Sequence, residues 1–335
     1  MSKRLQFVHI GMPKCASTYL QNVWHLDQQY QLVNLNTLME QARKLAPVQA
    51  PGDFQPVPIA LPLSKPDFLI GSSEGFSWAY TNQPKLQESI WNLHKVSAQL
   101  LSQAALTDTI LIMVRSPISY MRSLHEQTIK EGGYGSFATF FQEQRKLIEA
   151  TVDLKSILFA YQEHFENVVV LNAEELRNSP TDFWKKYQQH LDVSPPLNGI
   201  EQVEKDSFSA NSSLKSKLYP LALLNRHYNV LTKHLDELDS YRQRMEQEYT
   251  TLRSPYPNLS RWINRRLAEF SSEADLAALL EQLGLSGQGA DDFQRISIDS
   301  EMQRFISDRF LEPLSQQGTV EEHSLASMHE ELANR

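Results

Sequence analysis

Short apolar runs alternate with helical patterns over the first 190 residues of the chain. Each run is rich in apolar or β-branched side chains, as expected of a strand buried in a sheet. The run at 109–114 is the strongest, because it is unbroken in the way of a parallel strand covered on both faces. The four predicted strands are 5–12, 68–71, 109–114 and 167–171.

The segments that follow these strands carry apolar residues at helical spacing. Strands and helices in alternation, joined by short links, predict an α/β fold with a central parallel sheet. The predicted helices are 17–30, 84–105, 118–130, 137–162 and 180–191.

The chain changes character after Ser194-Pro-Pro196, where two charged helical patterns, 214–252 and 259–283, replace the alternation. We therefore expect a core at 1–215 and a helical extension at 216–319. This C-terminal region is either a cap on the core domain or a small domain of its own. The polar residues 320–335 are expected to form a flexible tail.

Six prolines lie between residues 47 and 66. Proline fixes φ and lacks a backbone donor, so this density excludes regular structure. The segment is either a connector or part of a binding site for an acceptor.

Composition narrows the classes of function. The 335 residues carry a formal net charge of −8, which disfavours general nucleic-acid binding. The single cysteine, Cys15, excludes an intrachain disulfide and a cysteine-based zinc cluster. No apolar run approaches the roughly 20 residues of a membrane-spanning helix. No signal-peptide pattern opens the sequence, so we expect a cytoplasmic protein.

The first chemical constellation is the strand, loop and helix start from Ile10 to Thr18. A helix N-terminus binds anions through its unpaired N–H groups and its dipole. Gly11 permits a tight turn, and Lys14 adds a positive charge. Ser17 and Thr18 add hydroxyl donors. The pattern G-x-x-x-x-G-K-[ST] of nucleotide kinases is absent.

The second constellation follows the predicted strand at 109–114. Arg115 comes at the end of the strand, where binding groups of open α/β sheets collect. Its guanidinium suits forked recognition of phosphate. Pro117 begins the next helix, and Ser123 follows about two turns later.

Together these segments resemble sulfotransferases that use 3′-phosphoadenosine 5′-phosphosulfate (PAPS), in particular bacterial and carbohydrate-type members. Residues 13–18, Pro-Lys-Cys-Ala-Ser-Thr, match the family's 5′-phosphosulfate loop position for position. Glycine is common where this chain has Ala16, whose methyl group is tolerable if φ stays negative. Arg115, Pro117 and Ser123 match the family's 3′-phosphate pattern. The resemblance covers about residues 5–215.

The resemblance implies a P-loop-like three-layer α/β/α fold and transfer of a sulfuryl group from PAPS, which leaves adenosine 3′,5′-bisphosphate (PAP). Lys14 would stabilise the leaving group, and Glu74 would be the base, as in carbohydrate sulfotransferases. The implied acceptor is a carbohydrate or small metabolite with a hydroxyl, or an amine. No metal is implied. The implied nucleotide-binding residues are Lys14, Cys15, Ala16, Ser17, Thr18, Tyr19, Arg115, Ser123, Asn211 and Ser212.

Two other functions remain open at this point. One is a P-loop small-molecule kinase, which would need ATP and magnesium. The other is a non-catalytic protein that keeps the nucleotide pocket. We interpret His9 and His125 as structural residues and Cys15 as an inert small side chain, although the helix dipole acts to lower the pKa of a thiol at this place.

Overall fold

The computed structural model describes residues 4–48, 52, 54–62, 66–78, 84–130, 132–201, 217–235, 272–283 and 293–334. Within these residues one five-stranded sheet is present, and all of its strands are parallel. The predicted α/β class and the central parallel sheet are confirmed. The strands are β1 (Val8–His9), β2 (Tyr30–Val33), β3 (Phe68–Ser72), β4 (Thr109–Val114) and β5 (Asn167–Asn172).

The strands lie in the order β2-β3-β1-β4-β5, which puts β1 in the centre. Only Val8 and His9 form β1, but bonds from Gln6 N to Leu69 O and from Ile10 N to Leu111 O, of 2.8 and 3.1 Å, extend its pairing. The sequence prediction for this strand was therefore too long but correctly placed. It missed β2, because Tyr30 was taken as the end of a helix.

Helices follow most strands, as the sequence pattern predicts. The predicted helix at 84–105 is divided at Ser89, and the one at 137–162 is divided at Asp153, whose side chain caps the second part. The helices in the described residues are α1 (Ser17–Leu26), α2 (Asn36–Leu45), α3 (Pro84–Glu88), α4 (Ile90–Gln103), α5 (Pro117–Lys130), α6 (Phe137–Val152), α7 (Leu154–Gln162), α8 (Ala173–Asn178), α9 (Pro180–Leu191), α10 (Leu218–Leu235), α11 (Glu273–Gln282), α12 (Ser300–Ile306), α13 (Glu312–Gln316) and α14 (Glu322–Ala333).

The packing around β1 explains why α1 starts where it does. Phe7 makes edge contacts with Trp24 of α1 and Tyr187 of α9, with ring centroids 5.7 and 6.0 Å apart. Trp24 Nε1 donates to the Tyr187 hydroxyl at 3.1 Å, which satisfies its buried donor. These contacts fix α1 against the central strand, and so they fix the loop between them.

The chain divides into two compact units. One unit holds 1–120, 144–207 and 298–335 and contains the whole sheet. The other holds 121–143 and 208–297, and its core includes Ile129, Leu218 and Phe293. These boundaries differ from the expected divisions at 215 and 319, because the last residues of the chain belong to the unit with the sheet.

The end of the chain corrects one expectation. Residues 320–335 were expected to form a flexible tail, but α14 occupies Glu322–Ala333 and buries Met328 and Leu332. Two apolar residues four positions apart on one helix face give the segment a packing surface that its polar composition conceals. In the described parts of the chain, no helix has the length and apolar character needed to cross a membrane.

Candidate functional site

The loop from β1 to α1 has an unusual backbone. Lys14 and Ala16 both have left-handed conformations, with φ of 63° and 64°. Left-handed residues in a loop before a helix turn successive N–H groups toward one side and form a concave anion site, often called a nest. Ala16 is the N-cap residue of α1 and provides no side-chain cap, and a helix N-terminus favours an anion.

Ala16 does not have the negative φ under which its methyl group would be tolerated without strain. An L-residue with a Cβ loses about 1–2 kcal/mol in this conformation, whereas glycine adopts it freely. The glycine common in the resembled family at this position fits this backbone better than the alanine does. Strained residues are retained where function requires the conformation.

We expect Ala16→Gly to raise the free energy of unfolding by about 0.5–1 kcal/mol, because relief of strain exceeds the added entropy of the unfolded chain. Urea titration measures this change. Ala104→Gly is the matched control, since Ala104 has a φ of −69° and gains nothing from glycine. If both variants lose the same stability, the left-handed conformation of Ala16 is contradicted.

Ser17, the first residue of α1, provides a second sign of a ligand. Its side chain is 2% exposed, and Oγ makes no hydrogen bond of normal geometry with any described residue. A buried hydroxyl without a partner is costly, and an ordered water or a bound molecule at this place would remove the cost. Thr18 is exposed and Tyr19 is half-buried.

Beneath the loop, Gly11 lies against Ser17 and His9. A Cβ at Gly11 would come within 2.4 Å of Ser17 Oγ and 2.5 Å of His9 Nε2, so only glycine fits. His9 Nδ1 is 2.8 Å from Ser72 Oγ, but its Nε2 is buried without a hydrogen bond to any described residue. His9 is thus a core histidine, as interpreted, but only one of its two ring nitrogens has a hydrogen-bond partner among the described residues. Burial lowers the pKa of His9 to about 3.

Cys15 is buried within the loop, and its Sγ lies 3.5 Å from Pro13 O. Burial raises the pKa of the thiol well above its usual value, and this effect exceeds the opposing effect of Arg115. The thiol is therefore protonated near neutral pH and is a poor nucleophile. This agrees with its interpretation as an inert side chain.

Glu74 begins a single 3-10 turn directly after β3. Burial raises the pKa of its carboxyl group, and the nearby Ser17 hydroxyl and Lys14 charge act in the opposite direction. Ser17 is close enough to Glu74 for this effect although the geometry is not that of a normal hydrogen bond. The structure therefore brings Glu74 together with Lys14 and Ser17, as predicted from the sequence.

The backbone around Glu74 is held from two sides. Ser73 N donates to His9 O at 3.0 Å, and Ser77 Oγ donates to Gly11 O at 2.7 Å, so the turn is fixed to the strand and loop of β1. Arg43 of α2 donates to Gly75 O at 2.9 Å and also to Trp78 O. The sequence did not single out Arg43, whose role follows only from the missed helix α2.

Arg115 lies at the end of β4 and reaches the β1–α1 loop. Its Nη1 donates to Lys14 O at 3.3 Å, and its Nε is 3.9 Å from Glu174 Oε1. Its side chain is 27% exposed, which leaves it accessible to an anion from solvent. Glu174, in the first turn of α8, was missed because nothing in the local sequence relates it to Arg115.

The structure does not test the other predicted nucleotide-binding residues. Ser123 lies on α5 in the second unit, so its pairing with Arg115 remains a prediction. Asn211 and Ser212 lie outside the described residues. His125 has a structural contact, since its Nε2 is 2.9 Å from Gly135 O and its ring packs against Phe137. No cluster of metal-ligating side chains occurs in the described ranges.

The arrangement is thus a loop and helix start with anion-binding backbone, a lysine, an arginine and a partly buried glutamate. Such a set can hold a phosphorylated ligand and place a base beside it. No family model, curated protein or solved structure matches this chain.

Proposed function

We propose that this chain is a sulfotransferase that moves a sulfuryl group from PAPS to a hydroxyl or amine acceptor. One observation carries the proposal. Three neighbouring strands, β3, β1 and β4, end next to Glu74, the Lys14 loop and Arg115, and Arg115 bonds the backbone of Lys14 at 3.3 Å. A glutamate, a loop with left-handed residues and an arginine thus lie at one edge of one sheet, and the proposal assigns them the roles of base, anion cradle and phosphate-binding group.

The strand order supports a ligand site at this edge. From β1 the chain proceeds to β2 on one side of the sheet, and from β4 it proceeds to β5 on the other side. Ligands of open α/β sheets bind outside the carboxyl ends of strands where the connections diverge in this way. The finer fold assignment, a P-loop-like three-layer arrangement, is part of the proposal and rests on this order and on the β1–α1 loop.

The β1–α1 loop suits the 5′-phosphosulfate end of PAPS. The uncapped N–H groups of α1 and the left-handed Lys14 and Ala16 favour an oxyanion. The buried Ser17 hydroxyl, which has no hydrogen bond of normal geometry with a described residue, would supply a further donor. Backbone amides from Cys15 to Tyr19 would therefore hold this end of the nucleotide.

Arg115 suits the 3′-phosphate. Glu174 and the Lys14 carbonyl use its Nε and Nη1, while Nη2 has no hydrogen bond with a described residue. A phosphate would accept a hydrogen bond from Nη2 and compete with Glu174 for Nε, since charge-assisted hydrogen bonds to phosphate are strong.

PAPS, when bound, supplies the sulfuryl group and a 5′-phosphate that becomes negative as the group leaves. Lys14 would stabilise that charge, as electrostatic groups aimed at a developing charge do. Glu74 would accept the proton of the acceptor, and the burial that raises its pKa makes it a stronger base than an exposed glutamate. A carbohydrate or small metabolite hydroxyl is the proposed acceptor class.

The proposal predicts a preference for the 3′-phosphate. PAP at 100 times its dissociation constant should stabilise the protein by about 2.7 kcal/mol and raise its melting temperature, whereas ADP should have much less effect. Thermal unfolding with each nucleotide, with and without magnesium, measures the difference. Equal stabilisation by both nucleotides, or magnesium-dependent stabilisation by ATP, would favour the kinase alternative instead.

Arg115→Ala provides the control for this experiment. It should reduce stabilisation by PAP to the level given by adenosine 5′-phosphate, because the 3′-phosphate loses its partner. Incubation of the wild-type chain with labelled PAPS and a panel of sugars, phenols, lipids and amines then tests transfer. PAP binding without transfer to any acceptor would favour the non-catalytic alternative.

A further inference from the structure

The last helix of the chain contacts the residue next to Arg115. Ser116 Oγ donates to Glu331 Oε2 of α14 at 2.6 Å, although the two residues are 215 positions apart. Ser116 is 2% exposed, so this bond is largely shielded from water. A short hydrogen bond from a buried hydroxyl to a carboxylate is among the stronger kinds found in proteins.

Ser116 also directly precedes Pro117, the first residue of α5. Ser116 Oγ lies 3.5 Å from the N–H of Ser119, and the Ser116 carbonyl accepts from Tyr120 N at 2.8 Å, the arrangement of an N-cap residue. Because the Ser116 hydroxyl donates its hydrogen to Glu331, the lone pairs of its oxygen can accept from the N–H of Ser119. The Glu331 charge near the start of α5 is also favourable for the helix dipole.

A second carboxylate, Glu174 of α8, contacts both Ser116 and Arg115. Its Oε2 accepts from Ser116 N at 3.4 Å, and its Oε1 faces Arg115 Nε at 3.9 Å. Ser116 is therefore bound by both Glu174 and Glu331, and this fixes the backbone from which Arg115 reaches the Lys14 carbonyl.

The other end of α14 is fixed to α8 as well. Glu321 N donates to Glu175 Oε1 at 3.0 Å, and Lys186 Nζ lies 2.8 Å from Glu175 Oε2 and 3.4 Å from Glu321 Oε1. Glu175 is buried and satisfied by these partners. The position of Glu331 is thus set by an ion-pair network and not by a single contact.

We propose that Glu331 is a positioning residue for Arg115, and that the last helix of the chain is required for recognition of the 3′-phosphate. This inference rests on the proposed function. Glu331 acts through Ser116 and does not itself touch the nucleotide. Its removal releases the β4–α5 turn, so Arg115 loses its fixed direction while the β1–α1 loop stays in place.

The test compares Glu331→Ala, Glu331→Gln and Glu330→Ala in the full chain. Glu330 is the matched control because it is the preceding residue of the same helix and is exposed. Calorimetry measures the dissociation constants for PAP and for adenosine 5′-phosphate, which lacks the 3′-phosphate. We expect Glu331→Ala to weaken PAP binding about tenfold, the equivalent of one hydrogen bond to a charged group. Binding of adenosine 5′-phosphate should change less than twofold.

Glu331→Gln should retain most of the PAP affinity, because its amide oxygen accepts the same Ser116 proton, and Glu330→Ala should match the wild type. If Glu331→Ala does not fold, Ser116→Ala removes the bond from the other side and should give the same selective loss. Equal loss for both nucleotides, or no loss, overturns the role of Glu331. If the wild-type chain itself binds the two nucleotides equally, the proposed function fails instead.

Discussion

Lys14→Ala is expected to lower the rate of sulfuryl transfer about 100- to 1,000-fold, the usual effect of removing one group that stabilises a developing charge. PAP binding should weaken much less, because the backbone N–H groups of α1 and the Arg115 guanidinium remain. A loss in kcat larger than the loss in nucleotide affinity identifies an interaction made mainly in the transition state. Initial rates with labelled PAPS and calorimetry with PAP measure the two effects.

The backbone of Lys14 allows a sharper control. Because its φ is 63°, Lys14→Gly relieves the same kind of strain as at Ala16 and should leave the protein at least as stable as the wild type. This variant should nevertheless be as inactive as Lys14→Ala, which separates catalysis from folding. Lys44→Ala, on the exposed side of α2, removes a lysine without effect on rate. Full activity in Lys14→Gly would exclude Lys14 from the reaction.

Local sequence patterns predicted the centre of the fold well. The run at 109–114 became β4, whose residues from Ile110 to Val114 are buried, because an unbroken apolar run is stable only inside a sheet. The edge strand β2 and the helix α2 were missed. Their apolar signal is weak, since β2 has two buried residues and α2 buries only Leu38 and Ala42.

The candidate site also has some residues that could be identified from the sequence and others that could not. The β1–α1 loop and Arg115 could be identified from sequence, because the loop's chemistry is contained in consecutive residues and Arg115 directly follows a strong strand. Glu174 and Glu331 could not be identified, since their bonds to Ser116 span 58 and 215 positions. Only the parallel pairing of β4 with β5 and the packing of α14 bring them there.

The positive φ of Ala16 also could not be predicted from the sequence. Alanine is a good helix former and normally has a negative φ, so local propensity favours the wrong conformation here. Such conflict between local preference and native backbone is expected at functional sites.

Acid is expected to destabilise the unit with the sheet by about 3 kcal/mol between pH 6.5 and pH 5. Burial lowers the pKa of His9 to about 3 and that of His94 to about 4, from an ordinary value of 6.5. The unfolded chain therefore binds more protons than the folded chain below pH 6.5, and stability falls as the pH drops. Each histidine contributes about 0.7 kcal/mol per pH unit at pH 6.5 and about 1.4 kcal/mol per pH unit near pH 5.

His94 is the more informative of the two. It is buried on α4 beside the Tyr161 ring, at a centroid distance of 6.2 Å, and neither ring nitrogen bonds a described residue. A leucine of similar volume would bury no unsatisfied nitrogen. We therefore expect His94→Leu to be at least as stable as the wild type at pH 7, and to lose stability about half as steeply in acid.

Urea unfolding followed by tryptophan fluorescence between pH 7.5 and pH 4.5 measures these slopes, because Trp24 and Trp184 are buried in the same unit as both histidines. Glu74 opposes the effect, since its raised pKa means that the folded chain takes up a proton more readily than the unfolded chain. Glu74→Gln should thus steepen the loss of stability in acid, whereas His25→Gln on the exposed face of α1 should not change it. A wild-type protein equally stable at pH 7 and pH 5 would show that the buried histidines are hydrated, because water at their free nitrogens removes the cause of the lowered pKa.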